Sequence, residues 1–230
     1  MKKACVVLSG GMDSSLCLAI AVNEFGAENV LAVSFDYNQR HSKELDCASK
    51  IANEFKVEHV VLELPILAAI TNNALTNSKL KIEKNAKDST PNTMVLGRNG
   101  LFARLASIQA YGLGIKKVYL GVIEVEEANS GYRDCSRKYM DLIESALRLD
   151  FNDDGFEIVT PIIKMTKQQT MERAFNLGCL KFLLDETITC YEGTPKFGCG
   201  KCPACKLRNE GISSFLKDHP EFTFSYRSQF

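Results

Sequence analysis

Apolar residues follow two rhythms along this chain, and the change from one to the other recurs. Short runs rich in β-branched residues, at Ala4–Leu8, Val30–Phe35, His59–Leu64, Lys117–Gly121 and Phe156–Thr160, read as strands. Longer stretches with apolar positions three and four apart, at Asp13–Phe25, Ser42–Phe55, Asn99–Gly112, Ser136–Leu149 and Lys167–Leu177, read as helices. Cys5–Leu8 and Val30–Val33 are apolar without alternation, as in strands covered on both faces. The alternation predicts an α/β fold, a parallel five-stranded sheet with helices on both faces. Ligands of such a sheet bind beyond the carboxyl ends of its strands.

Two stretches break the rhythm. Residues Thr71–Asn92 are rich in Asn, Lys, Ser and Thr and carry no clear period. A structureless stretch of that length inside a compact domain usually serves as a lid or is disordered. Glu124–Cys135 is a polar loop after the fourth strand, on the edge where ligands are expected. Beyond residue 185 the composition shifts to cysteine, glycine and proline. The expected organisation is therefore an α/β domain over 1–185 and a C-terminal appendage with a helix over 186–230.

Composition narrows the class. Hydrophobic residues make up 45% and charged residues 24%, ordinary for a globular protein. Lysine plus arginine equals aspartate plus glutamate, 28 each, so no net field draws the chain to nucleic acid or to a membrane surface. The apolar run after Lys2-Lys3 is shorter than the ~7–15 residues of a signal core, and no run reaches the ~18 of a membrane span. A cytoplasmic location is expected. Of nine cysteines, Cys5, Cys17, Cys47, Cys135 and Cys179 are scattered, and four crowd together near the C-terminus.

Chemistry concentrates at two places. Leu8-Ser9-Gly10-Gly11-Met12-Asp13-Ser14-Ser15 joins the first strand to the first helix. Backbone N–H groups at a helix start favour anions, and glycine lets the backbone approach a phosphate closely. Ser14 and Ser15 offer hydroxyl donors, and Asp13 can cap the helix or hold a magnesium ion. A plain Gly-Gly turn with an Asp/Ser cap is the bland alternative. The lysine of the G-x-x-x-x-G-K-[ST] phosphate loop is missing, which argues against that class of phosphoryl transfer. The second place is Cys190-x8-Cys199-x2-Cys202-x2-Cys205, four thiolates suited to a structural zinc ion with no open ligand position. An iron–sulfur cluster is the competing reading.

Further strings stand in consistent order with these: Phe35-Asp36-Tyr37-Asn38-Gln39-Arg40-His41, Arg98-Asn99-Gly100-Leu101-Phe102, Ser130-Gly131-Tyr132-Arg133-Asp134-Cys135 and Thr189-Cys190-Tyr191-Glu192-Gly193. The glycine loop resembles the PP-loop of the ATP pyrophosphatases, and all the strings together, from Lys3 to about Phe215, resemble the QueC family. The resemblance implies a Rossmann-like sheet of the adenine nucleotide alpha hydrolase type. It implies ATP-dependent conversion of 7-carboxy-7-deazaguanine and ammonia to 7-cyano-7-deazaguanine, through adenylated acid and amide, in queuosine precursor biosynthesis.

The residues from Leu8 to Ser15 would then bind ATP with Mg²⁺, and Asp13, Arg98 and Asp134 would act in catalysis. Lys164 is a second candidate cation for the leaving pyrophosphate. Tyr37, Arg40, Phe102, Glu124, Tyr132 and Asp134 would line the acceptor site, with Glu124 or Asp134 taking a proton from ammonium. Cys190, Cys199, Cys202 and Cys205 would hold one structural Zn²⁺. A homodimer is implied; no membrane partner is expected, and the balanced charge disfavours a nucleic-acid partner. Arg133 stands where the family pattern has proline, which leaves open the same adenylation chemistry on another acceptor, a protein partner or tRNA.

Overall fold

The computed structural model describes residues 1–39, 43–71, 73–76, 80, 92–125 and 132–230. Five strands, β1 (Ala4–Val7), β2 (Val30–Asp36), β3 (Glu58–Glu63), β4 (Lys117–Tyr119) and β5 (Glu157–Val159), form one sheet. Their order is β3-β2-β1-β4-β5, and every neighbouring pair is parallel. The expected five-stranded parallel sheet is therefore present. The order reverses between β1 and β4, so the crevice beyond their carboxyl ends is the place for a ligand.

Eight α-helices occur among the described residues. On one face lie α1 (Met12–Phe25) and α2 (Lys43–Glu54), and on the other α4 (Arg98–Gly112) and α5 (Arg137–Phe151). Side-chain alternation along β1 divides the core between them. Ala4 and Val6 pack with Leu16, Ala48 and Ile51, while Cys5 and Val7 pack with Ala103, Ala106 and Met140. Both faces are dry, which is why β1 reads as an unbroken apolar run. Three short or late helices complete the first face: α6 (Lys167–Asn176), α7 (Leu180–Glu186) and α8 (Pro203–Asp218). Ile212, Phe215 and Leu216 of α8 enter the same core as Leu16 and Met171, so the end of the chain is packed onto the sheet layer.

Two helices had no counterpart in the periodicity: α3 (Ile66–Ile70) and α7, both shorter than the two turns over which a 3.6-residue period can be read. The fourth strand stops at Tyr119, short of the expected Gly121. There the chain leaves the sheet to pass the start of α1, where a Cβ on Gly121 would lie 2.6 Å from the Ser14 nitrogen. Among the described residues no helix is long and apolar enough to cross a membrane.

Candidate active site

The turn after β1 carries the phosphate-binding geometry. Gly10 has φ +81°, in the left-handed region that glycine enters without steric penalty. A methyl group on it would also overlap the Glu44 carbonyl oxygen at the start of α2. For Gly10→Ala, the backbone strain alone is about 1–2 kcal/mol, and α2 must move as well. ATP affinity should fall roughly tenfold or more, read by calorimetric titration; unchanged affinity would show that the loop tolerates the shift.

Gly11 is the N-cap of α1 and covers none of the first-turn N–H groups with a side chain, so they remain available to an anion. The serine hydroxyls brace the loop from inside. Ser14 Oγ donates to the Gly11 carbonyl at 3.1 Å and Ser15 Oγ to the same oxygen at 2.8 Å. Ser9 N donates to Ser14 Oγ at 3.1 Å, and the Leu8 carbonyl accepts from Ser34 Oγ at 2.5 Å.

Asp13 faces a cation from far along the chain. Lys167 Nζ donates to its two carboxylate oxygens at 2.7 and 2.5 Å. Lys167 is the first residue of α6, whose start is set by a capping box between Thr166 and Gln169. The loop lacks a cation of its own, and α6 delivers one.

Above the loop opens a cavity of about 360 Å³ at the carboxyl edge of β1, β2 and β4. Phe35 and Phe102 stack along one side, centroids 4.3 Å apart and planes at 13°, with Tyr37 tilted against Phe102 at 5.5 Å. Half-buried Arg98, at the first position of α4, donates to the Tyr37 hydroxyl at 3.3 Å. Burial alone would favour the neutral guanidine. Tyr37, Asp134 and Glu44 oppose this and hold the Arg98 charge above its usual range. Burial likewise pushes the Glu44 carboxyl up to about 7, with Arg98 pulling the other way. On the far side a hydroxyl chain runs from Thr93 through Tyr132 to Tyr191, at 2.5 and 3.4 Å.

The four clustered cysteines stand behind the same wall. Their sulfurs all lie within 4.8 Å of one another. Backbone N–H groups of Glu192, Lys201, Cys202 and Cys205 point at sulfurs of Cys190, Cys199 and Cys202 at 3.3–3.4 Å. Such donors favour thiolates over thiols. Gly198 and Gly200, at φ +74° and +65°, turn the chain around the cluster. Four soft sulfurs converging on one point can hold a metal ion, and they leave no open ligand position. Tyr191 on one side, and Ala204, Leu207 and Arg208 on the other, line the cavity, so residues that flank the cluster in sequence form part of its wall.

A family model for the queuosine biosynthesis protein QueC matches residues 3–216. A 7-cyano-7-deazaguanine synthase of Clostridium botulinum (strain ATCC 19397 / Type A) is 41% identical over 219 residues, 95% of this chain and 98% of that protein. One from Lysinibacillus sphaericus (strain C3-41) is 40% identical over 221 residues, 96% and 99% of the two chains. The chain belongs to the QueC family. Its fold is similar to that of a 4-thiouridine synthetase in complex with RNA and bound ATP (TM-score 0.52, 17% identity, covering 95% of this chain and 51% of that one). It is also similar to the U34-tRNA thiolase NcsA of Methanococcus maripaludis with its [4Fe-4S] cluster (TM-score 0.51, 14% identity, covering 95% and 67%).

Within this QueC-family chain the residues singled out from sequence separate into two groups. Leu8, Ser9, Gly11, Met12, Asp13 and Ser14 line the cavity, while Gly10 and fully buried Ser15 support it from behind. Arg98, Tyr37, Phe102 and Tyr132 line it as well. Arg40 lies outside the described residues. Glu124 and Asp134 each accept from a backbone N–H. Glu124 accepts from the Arg137 N–H at 2.7 Å, at the start of α5. Asp134 is buried, accepts from the Asn99 N–H at 3.2 Å in the first turn of α4, and leaves Oδ1 without a partner. Neither is among the residues lining the cavity. Exposed Lys164 opens onto a separate groove beside Arg173, and the cation at the loop is Lys167 instead. The cavity also takes Glu44, Thr189, Tyr191 and Arg208, none of which the motif reading assigned to it.

Proposed function

We propose that the chain converts 7-carboxy-7-deazaguanine and ammonia to 7-cyano-7-deazaguanine, consuming two ATP and releasing two AMP and two pyrophosphate. One observation carries this reading: in a QueC-family chain, the Asp13–Lys167 pair and the open N–H groups of α1 lie at one end of a cavity walled by aromatic rings. A triphosphate fits the first end and a flat purine-like acceptor the second.

The chemistry follows from the oxygen count. A carboxylate has two oxygens and a nitrile has none, so each oxygen must become a leaving group. Attack of the carboxylate on the α-phosphorus expels pyrophosphate and makes an acyl adenylate. Ammonia displaces AMP to give the amide, and adenylation of the amide oxygen lets the second AMP depart as the nitrile forms. Lys167 and the α1 N–H groups stabilise charge growing on the leaving pyrophosphate, in a site where such donors act at low dielectric. Arg98, held cationic by its neighbours, orients the acceptor carboxylate. Mg²⁺ bound with ATP would supply neutralisation of phosphate charge beside Asp13. The four-cysteine cluster suits Zn²⁺ in a structural role, fixing Tyr191 and the start of α8 against the acceptor end.

Acid-dependent exchange of labelled pyrophosphate into ATP, without ammonium, tests the first step. Exchange with 7-carboxy-7-deazaguanine is expected. Exchange only with a peptide carboxylate or only with tRNA would replace the acceptor and keep the adenylation.

A further inference from the structure

The reaction proposed above has a proton problem, and the cavity offers one group to solve it. The nitrogen enters as ammonium with four hydrogens and ends in the nitrile with none. Ammonium has no lone pair with which to attack, so a base must act before the first C–N bond forms. A base must act again as the amide is dehydrated.

Among the described residues lining the cavity there are two carboxylates, Asp13 and Glu44, and no histidine. Asp13 has both oxygens on Lys167. Glu124 and Asp134, the carboxylates of the adjoining loop, are not in the lining and each accepts from a backbone N–H, that of Arg137 and that of Asn99. Glu44 differs from all three. It sits in the first turn of α2, whose backbone touches the phosphate loop: the space beside Gly10 is filled by the Glu44 carbonyl. Its carboxyl feels the Arg98 guanidinium of α4, and through Arg98 it neighbours the Tyr37 hydroxyl at the end of β2 and Asp134 behind. Across the cavity stand Asp13 and Lys167. Arg40 and His41, just before α2, lie outside the described residues. Glu44 is thus beside both the loop that binds phosphate and the cation assigned to the acceptor carboxylate, where an acyl adenylate carbon would lie.

We infer that Glu44 is the proton acceptor for the nitrogen nucleophile, a role that rests on the proposed nitrile synthesis. In the first step the carboxylate takes one proton from ammonium. The freed lone pair attacks the acyl carbon, and the C–O bond to AMP breaks with its electron pair going to the phosphate oxygen. Glu44 returns that proton to solvent through the open cavity, takes a second from the attached nitrogen as the adduct becomes the neutral amide, and returns it in the same way. In the second step the adenylated amide, formed as a cation, first loses one N–H proton to solvent, and Glu44 takes the last as the second C–O bond breaks and the C–N triple bond is completed. Burial holds the Glu44 carboxyl near 7, close to working pH, where a base combines ionisation with driving force. Below that pH it is protonated and the role is lost.

Glu44→Gln keeps shape and removes the base. At neutral pH and fixed total ammonium, amide and nitrile formation should fall roughly 10²-fold or more. The deficit should shrink as pH rises and free ammonia replaces ammonium. Acid-dependent pyrophosphate exchange, which precedes ammonia, should persist. A deficit equal at every pH, or exchange lost in parallel with product, would overturn the assignment. If the variant does not fold, the pH profile of the unaltered chain decides. At fixed total ammonium its rate should rise with pH and level off above about 7; a rise that keeps pace with free ammonia, with no break near 7, would overturn the role. No exchange in the unaltered chain would sink the parent reading, and this role with it.

Discussion

Lys167→Met is expected to lower AMP release by roughly 10²–10³-fold, the usual effect of deleting one preorganised donor from a site where negative charge develops. The side chain lies 2.5 and 2.7 Å from the Asp13 oxygens and is 12% exposed. Removing it also leaves Asp13 partly buried without its partner, close to where phosphates would bind. The loss should therefore appear in kcat and in kcat/KM for ATP together. The α6 helix keeps its capping box in the variant, so the melting temperature should move by only a few degrees. Turnover within threefold of the parent would mean that the pair is a structural ion bridge and that the charge on pyrophosphate is met elsewhere.

The second large effect concerns the metal. Binding by a four-thiolate centre supplies on the order of 10 kcal/mol of folding free energy, comparable to the whole stability of a domain. Here that energy is local. The cysteines form a small cluster of their own, whereas Ile212 and Phe215 of α8 belong to the core shared with β1 and α1. Extracting the metal with a strong chelator should then release residues 190–205 to protease while the sheet persists. Turnover should fall to background, because Tyr191 and Leu207 leave the cavity wall.

Gly198→Ala should do the same without a chelator. At φ +74° its Cβ would overlap the Cys205 sulfur and stand 3.4 Å from the Arg208 guanidinium. A metal-free chain that keeps its turnover and resists cleavage within 190–205 would contradict this coupling.

How much of this was legible beforehand depends on the range of the signal. The strands β1 and β2 declare themselves because dry faces on both sides demand unbroken apolar runs. The cysteine spacing is equally local, since two C-x2-C pairs bring sulfurs together within one turn and a helix start. Roles that depend on contacts across the fold were harder to read. Lys164 and Lys167 are three residues apart, and composition does not separate them. The capping box at Thr166–Gln169 does, since it starts α6 and sets Lys167 in its first turn, facing the loop. Glu44 looks like an ordinary acidic residue in a helix first turn. Its function-bearing feature is the desolvated position beside Arg98, 54 residues later in the chain, which no local pattern records. Asp134 is as hard to read from local pattern. One of its oxygens accepts from the Asn99 N–H at the start of α4 and the other has no partner, contacts that sequence spacing does not record.

The central claim is that both carboxylate oxygens leave on AMP, and isotope labelling tests it most directly. With 7-carboxy-7-deazaguanine carrying oxygen-18 in both carboxylate positions, mass spectrometry should find two AMP per nitrile, each with one heavy oxygen. Unlabelled AMP alongside nitrile would contradict the adenylation route, and one labelled AMP with amide as the final product would contradict the second activation.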